Sequence, residues 1–249
     1  MLAPSIAALI AAMVATSFLS GIFGMAGGMI LLGILLAVLS LPEAMALHAV
    51  TQMASNGWRG LLWLRYVLWR SAGAFLGGCA IAFAVWSVWR YVPDTATTLI
   101  LVGTAQFLVR VLPASLTPDP ERPLHGVFVG AASMILMLLA GVSGPLIDTY
   151  FLSGKLERRQ IVATKAVCQV CCHAAKLLYF GGLVAGAAAL DPMLVAMAIV
   201  ATILGTSMAK PVLERLTDSQ YRTWAMRIIT VIACAYIAQG LYQFAAATN

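Results

Sequence analysis

The chain consists of successive apolar segments that are separated only by short polar stretches. A membrane-spanning helix needs about 20 mostly apolar residues, and most of these segments reach or approach that length. Hydrophobic residues fill 62% of the 249 positions and charged residues only 10%, whereas a soluble domain carries about 25% charged residues. Because the chain cannot cover a water-soluble surface, we predict an all-α integral membrane protein.

The apolar segments can be placed by their polar boundaries. Their predicted bounds are 5–23, 28–41, 45–65, 69–89, 94–112, 125–141, 145–154, 161–181, 188–209 and 219–244. Two of them, 28–41 and 145–154, are short, and each follows a glycine-rich break. These short segments are too short to cross a bilayer as straight helices.

The two breaks, at 24–28 and 141–145, predict interruptions inside the membrane. A single helix over residues 5–41 would be roughly 55 Å long, whereas the hydrocarbon core of a bilayer is about 30 Å thick. The chain must therefore stop or turn back at the first break. At the second break, Ser143 is a suitable N-cap and Pro145 a suitable first helical residue, so we predict a new helix start there.

The two halves of the chain share a sequence pattern. The stretch "ALHAVTQMASNGWRGLLW" (46–63) aligns without gaps with "ATKAVCQVCCHAAKLLYF" (163–180), an offset of 117 positions. The same offset pairs Gly24 with Gly141 and Gly27 with Gly144. We therefore predict two membrane repeats, 1–115 and 125–249, joined by a linker at 116–124.

The basic residues favour one arrangement of these repeats. If each broken element turns back as a hairpin, every Lys and Arg outside the segments except Arg90 falls on one side. If each broken element crosses once, the basic residues are divided between both sides. Because Lys and Arg concentrate in cytoplasmic loops, we predict inverted-topology repeats, each with a broken or re-entrant first helix followed by about three transmembrane helices. The basic side is then cytoplasmic, and the net charge of +6 does not indicate nucleic-acid binding.

Polar residues recur on one face of two apolar segments. In 45–65 they are His48, Gln52, Asn56 and Arg59, and in 161–181 they are Lys165, Gln169, His173 and Lys176. Spacings of three and four residues place each set on one helical face. Such groups usually face a bundle interior or a watery cavity. They indicate either hydrogen bonds between helices, with Arg59 and Lys176 reaching toward the interface, or a binding site.

The charges favour an anion site. Acidic residues are nearly absent from the segments, and Asp148, the clear exception, is either a coupling carboxylate or a partner of Lys165. An anionic ligand would supply the missing counter-charge, and free N–H groups at the two breaks would add donors. Broken helices at equivalent places in two repeats are typical of transporter sites. The predicted binding residues are Gln52, Asn56, Arg59, Gln169, His173, Lys176, Gly27, Gly28, Ser143, Gly144, His48 and Lys165.

The cysteines allow a competing interpretation. Cys168 and Cys171 are one helical turn apart, near His173, and thiolates with histidine can bind a metal. No second cluster completes such a site, and Cys168 and Cys172 align with the small residues Thr51 and Ser55. We therefore expect packing cysteines, no metal and no cofactor, with a membrane thiol or metal protein as the rival hypothesis.

The motifs resemble a known family. The runs "SGIFGMAGGMILL", "LPEAMALHAVTQMASNGWRG" and "WRSAGAFLGGCAIAFAV" resemble the TauE/SafE sulfite-exporter family of membrane permeases. The family usually shows G-x-G-G-G at the first break, where this chain has "GMAGG", and the second run is "GVSGP". The resemblance implies transport of a sulfur oxyanion such as sulfite, sulfoacetate or another organosulfonate, and one branch is similar to a 4-toluenesulfonate uptake permease.

Together these features predict a secondary transporter and not an enzyme. We expect a multi-pass protein of the bacterial inner membrane that takes up an organosulfonate such as 4-toluenesulfonate by alternating access. Export of sulfite or sulfoacetate is the alternative, and a passive anion channel is a third hypothesis. The expected partners are the anion and membrane lipid. The sequence leaves the coupling ion and the oligomeric state open.

Overall fold

The computed structural model describes residues 3–24, 26–89, 94–110, 118–153, 155–183 and 190–248, which form ten α-helices and no strand. The helices are α1 (Ala3–Phe23), α2 (Ala26–Val38), α3 (Leu41–Leu62), α4 (Trp69–Trp89), α5 (Thr95–Arg110), α6 (Pro123–Ala140), α7 (Gly144–Ser153), α8 (Arg158–Leu178), α9 (Pro192–Arg215) and α10 (Asp218–Thr248). A 3₁₀ turn, Leu64–Tyr66, follows α3, and a π-turn, Tyr179–Leu183, continues α8.

Several helices have the length and hydropathy of membrane spans. Within the described residues six such spans occur: Ile6–Phe23, Trp69–Val88, Pro123–Ala140, Arg158–Gly182, Pro192–Arg215 and Asp218–Ala246. They confirm the predicted all-α membrane fold, and the chain is a multi-pass membrane protein.

Local capping signals set several helix boundaries. Before α3, the Ser40 hydroxyl donates to the Glu43 carboxylate at 2.6 Å. Before α9, the Asp191 carboxylate accepts from the Met193 backbone N–H at 2.8 Å. The predicted segment 188–209 differs from α9 at both ends because this cap starts the helix later and because Pro211 lies inside the helix without ending it. A proline is tolerated in a membrane helix when neighbouring groups satisfy the freed backbone.

A glycine with positive φ follows the helix that precedes each break. Gly24, after α1, has φ 92°, and Gly141, after α6, has φ 72°. Glycine adopts this left-handed region without the steric cost that a Cβ imposes. At the second break the Ser143 carbonyl accepts from the Ile147 N–H at 3.2 Å, so Ser143 precedes α7 as an N-cap residue. Both predicted interruptions are therefore present.

Helices of the first half of the chain pack against helices of the second half. α1 packs along α9, α4 packs along α6, and α3 packs against α8. Glycines allow close approach in the first two pairs: a Cβ at Gly205 would lie 2.3 Å from the Val14 carbonyl oxygen, and one at Gly78 would lie 1.9 Å from that of Val127. This packing between the halves is compatible with the predicted inverted repeats, and the bounds of 1–115 and 125–249 stay a prediction.

Several of the basic segments that connect consecutive helices lie together at one end of the bundle. The Arg159 guanidinium donates to the Tyr66 hydroxyl at 3.1 Å, and Arg158 forms an ion pair with Asp218 at 2.8 Å. The connections α3–α4, α7–α8 and α9–α10 therefore lie together. This arrangement is compatible with the predicted basic, cytoplasmic side.

Candidate functional site

The polar faces of α3 and α8 meet inside the bundle. None of their eight side chains is more than 4% exposed: His48, Gln52, Asn56, Arg59, Lys165, Gln169, His173 and Lys176. The two helices run antiparallel, because Gly60 faces Ala166 whereas His48 faces Lys176. The faces therefore form one buried polar layer.

Arg59 connects α1, α3 and α8. Its guanidinium donates to the Ser20 carbonyl in the last turn of α1, to the Asn56 side-chain oxygen, and to Gln169 Oε1 at 3.1 Å. A cation is stabilised at a helix C-terminus, where carbonyl groups lack intrahelical partners. The Arg59 Nε has no hydrogen-bond partner among the described residues.

Lys176 and His48 connect the two breaks. The Lys176 ammonium donates to the Gly141 carbonyl at 2.8 Å and lies 2.6 Å from His48 Nδ1, while His48 Nε2 lies 2.8 Å from the Gly28 carbonyl. A carbonyl only accepts, so Nε2 carries the imidazole proton, and Nδ1 accepts from Lys176. His48 is therefore neutral in this arrangement. A continuous hydrogen-bonded chain joins the start of α2 to the end of α6.

Lys165 has a partner of opposite charge. Its ammonium forms an ion pair with the carboxylate of Asp148 on α7, and both side chains are buried. The ammonium also lies beside Gly24, where an added Cβ would be 2.6 Å from it. The structure thus assigns Asp148 as the partner of Lys165.

A small cavity lies between the two breaks and the two polar faces. The centre of a water molecule can occupy a volume of about 10 Å³ in it, which is about enough for one water. The lining residues are Gly28, Met29, His48, Gln52, Val142, Ser143, Gly144, Gln169 and His173. A sulfur oxyanion carries at least three oxygens and is larger than a water, so the site must widen to admit one.

The predicted site residues fall into three groups according to their position relative to this cavity. Gly28, His48, Gln52, Ser143, Gly144, Gln169 and His173 line it. Asn56 and Arg59 reach it through Gln169, and Lys176 reaches it through His48. Gly27 instead packs on α1, where a Cβ would lie 1.7 Å from the Thr16 carbonyl oxygen, and Lys165 lies with Asp148.

Sequence reasoning missed two apolar residues of the lining, Met29 and Val142. Each lies within or directly beside a predicted break, and that position is the signal that could have found them. Their side chains make part of the cavity apolar.

The cysteines do not converge on this cavity. Cys168 is buried whereas Cys171 is exposed, so the two thiols face different surroundings. The Cys172 sulfur lies 3.7 Å from that of Cys79 on α4. Among the described residues, no group of three His, Cys, Asp or Glu is arranged to hold a metal ion.

Comparison with known proteins identifies the family. A search of curated proteins and a search of solved structures each found no match. A family model described as "Sulfite exporter TauE/SafE" matches residues 8–236, which is nearly the whole chain. The match spans both breaks, both polar faces and the helices that pack around them, so the chain belongs to the TauE/SafE sulfite exporter family of membrane transporters.

Proposed function

We propose that the chain is a secondary transporter that binds a sulfur-containing oxyanion between α3 and α8 and moves it across the membrane by alternating access. The observation that carries this proposal is the chemistry of Arg59 and Lys176. Both are buried, and within the described residues no carboxylate lies within ion-pair distance of either. Buried charge without counter-charge is costly, so a bound anion stabilises the site.

The cavity lining suits a sulfonate or sulfite group. Such a group presents three acceptor oxygens. The amides of Gln52 and Gln169, the Ser143 hydroxyl and the N–H groups at the start of α7 are donors. His173 contributes Nδ1, which has no hydrogen-bond partner among the described residues.

The two cations lie on opposite sides of the cavity along the bundle. Since α3 and α8 are antiparallel, Arg59 near the end of α3 and Lys176 near the end of α8 close different ends of the polar layer. An anion entering past Lys176 would compete with His48 and Gly141 for its ammonium. An anion entering past Arg59 would compete with Ser20, Asn56 and Gln169. Alternating access would follow if only one of these sets of contacts opens at a time.

The finer proposal is uptake of an organosulfonate such as 4-toluenesulfonate across the inner membrane of a bacterium. An apolar groove of about 400 Å³ lies between α2 and α10 and shares Met29 with the cavity. An apolar tail could lie there while the sulfonate group occupies the polar layer. The alternative is export of sulfite or sulfoacetate, which the small size of the cavity favours.

A thermal-shift titration of the purified protein in detergent tests the proposal. The panel is sulfite, sulfate, sulfoacetate, benzenesulfonate, 4-toluenesulfonate and matched carboxylates. A ligand that binds only the folded state raises the melting temperature with concentration. We expect selective stabilisation by one sulfur oxyanion, which Lys176→Met should abolish.

The matched control is Lys155→Met, which removes the same charge from an exposed position and should leave the response intact. Gln52→Met tests the cavity without removing a charge. A response to sulfite and sulfoacetate alone would select the export alternative. No response to any sulfur oxyanion, or an unchanged response in Lys176→Met, would contradict the proposed site.

A further inference from the structure

A basic pocket lies at the end of α3, apart from the central cavity. It has a volume of about 600 Å³ and is lined by Leu61, Leu62, Trp63, Leu64, Arg65, Lys210 and Glu214. The 3₁₀ turn after α3 forms one wall, and the end of α9 forms the other. We propose that this pocket binds the phosphate headgroup of an anionic phospholipid.

Two guanidinium groups converge on one hydroxyl group beside the pocket. Arg65 and Arg159 donate to the Tyr66 hydroxyl at 2.9 Å and 3.1 Å. Their central carbons lie 4.8 Å and 5.4 Å from the centre of the Tyr66 ring. Two like charges held this close repel each other, and an anion placed between them would relieve the repulsion.

Trp63 brings a third cation to the same place. Lys210 Nζ and the Arg159 central carbon each lie 5.7 Å from the Trp63 ring centre. Among the described residues none of the three cations forms an ion pair within 4.0 Å, although Glu214 lines the pocket. The Arg159 Nε is buried without a hydrogen-bond partner in that part of the chain. The cluster therefore has donors and positive charge to spare.

The rim of the pocket is apolar and outward-facing. Leu61 is 65% exposed and Leu64 is 46% exposed, and in a membrane such side chains contact acyl chains. Tryptophan and tyrosine beside basic residues are typical of the headgroup level. A phospholipid matches this combination, because its phosphate would meet the cations while its chains cover the leucines.

The arginines of this cluster have no counterparts at the positions that the 117-residue offset pairs with them. The 117-residue offset places Phe180 at the position of Trp63, Gly182 at Arg65 and Pro42 at Arg159. The aromatic ring recurs, but both arginines are absent from the equivalent place. The pocket is therefore a feature of one end of the molecule, the end that gathers the basic connections. A cytoplasmic leaflet with anionic lipids has the matching charge.

Native mass spectrometry of the detergent-solubilised protein tests this assignment. The probes are phosphatidylglycerol, phosphatidylethanolamine, inorganic phosphate and glycerol phosphate. We expect phosphatidylglycerol to remain bound in preference to phosphatidylethanolamine. Since each basic residue near a membrane contributes about 5-fold in anionic-lipid affinity, Arg65→Gln with Lys210→Gln should weaken retention by about 25-fold.

The matched control is Lys155→Gln with Arg215→Gln, which removes two exposed charges outside the pocket lining. It should retain phosphatidylglycerol like the wild type. Equal loss in both double variants would mean that general charge attracts the lipid, and would overturn the proposal. Equal binding of glycerol phosphate would identify a site for water-borne anions instead, and no preference for the anionic lipid would also overturn it.

Discussion

The same position in the two halves carries different charge chemistry. In the second half Lys165 pairs with Asp148, whereas the 117-residue offset places His48 and Leu31 at those positions in the first half. His48 is neutral and bridges Gly28 to Lys176. Polar groups therefore lie at positions that the 117-residue offset pairs, but the residue at each position decides whether its charge has a partner.

The cations at the ends of the two polar faces show the same principle. Arg59 donates to the end of α1, and its repeat partner Lys176 donates to the end of α6. Arg59 completes its contacts with two amides, whereas Lys176 completes its contacts with an imidazole. Both cations stabilise a helix end in this structure, and among the described residues their hydrogen-bond partners are neutral groups.

Replacing one member of the buried ion pair should have the largest effect. Asp148→Leu leaves the Lys165 ammonium buried without a counter-charge, and breaking such a pair costs about 3–5 kcal/mol. Adding Lys165→His recreates the combination of the first half and removes the unpaired charge. We expect the double variant to recover most of the loss, measured as free energy of unfolding in detergent.

Two outcomes would contradict the stabilising role of the Lys165–Asp148 ion pair or the rescue by the double variant. Wild-type stability of Asp148→Leu alone would mean that the pair does not stabilise the fold. A double variant no more stable than the single one would mean that the first half's combination does not fit the second half.

Making the two cations identical should have the next largest effect. Arg59→Lys keeps the charge but cannot supply the planar set of donors that serves Ser20, Asn56 and Gln169. Leaving one buried acceptor without a donor costs about 1–3 kcal/mol. We expect a lower melting temperature for Arg59→Lys, while Arg215→Lys at an exposed position should change stability by less than about 0.5 kcal/mol. Equal melting temperatures in both variants would show that only the charge at Arg59 matters.

The sequence predicted the polar faces and the helix breaks of this site, but it did not predict which side chains contact one another. The polar faces of α3 and α8 follow from helical spacing, and the breaks follow from glycine and from the limit that bilayer thickness sets on helix length. The partners depend on which helices pack together, and a single sequence does not specify that packing. For this reason the pairing of Lys165 with Asp148 stayed open, and the contact of Lys176 with His48 was not predicted.

Helix ends show the same limit. The predicted segment 188–209 ends before Pro211, but α9 continues to Arg215 with Pro211 inside it. A membrane helix tolerates a proline where neighbouring groups satisfy the freed backbone. The bounds of α2 and α7 differ from the predicted segments by only a few residues, since glycines mark where those helices start.

A Cβ at the two left-handed glycines should have a smaller effect that differs between the halves. Left-handed backbone costs a residue with a Cβ about 1–2 kcal/mol. At Gly24 the new methyl would also press on Lys165 Nζ at 2.6 Å, whereas at Gly141 it would meet the Met45 sulfur at 2.3 Å. The ion pair holds Lys165 in place, and methionine adapts easily. We therefore expect Gly24→Ala to lower the melting temperature more than Gly141→Ala.

Gly73→Ala is the control for these variants, because Gly73 lies inside α4 with no atom within 4 Å of an added Cβ. It should leave stability unchanged or raise it slightly, since alanine favours helix over glycine. A larger loss in Gly141→Ala than in Gly24→Ala would show that the ion pair does not restrain Lys165.

The smallest expected effect concerns the cysteines, which also separate the transporter from a thiol protein. The Ser55 and Thr206 hydroxyl oxygens lie 2.7 Å apart between α3 and α9, and the Cys172 and Cys79 sulfurs lie 3.7 Å apart between α8 and α4. Cys79→Thr with Cys172→Ser would give the second helix pair the chemistry of the first. We expect the double variant to stay within about 1 kcal/mol of the wild type, because the new hydroxyl groups satisfy each other. Cys172→Ser alone should be less stable, since its hydroxyl would face a thiol, which is a weaker partner.

The decisive measurement is anion-dependent thermal stabilisation of the double variant. A packing role for the thiols leaves that response intact, and its loss in a folded double variant would show that thiol chemistry belongs to the function.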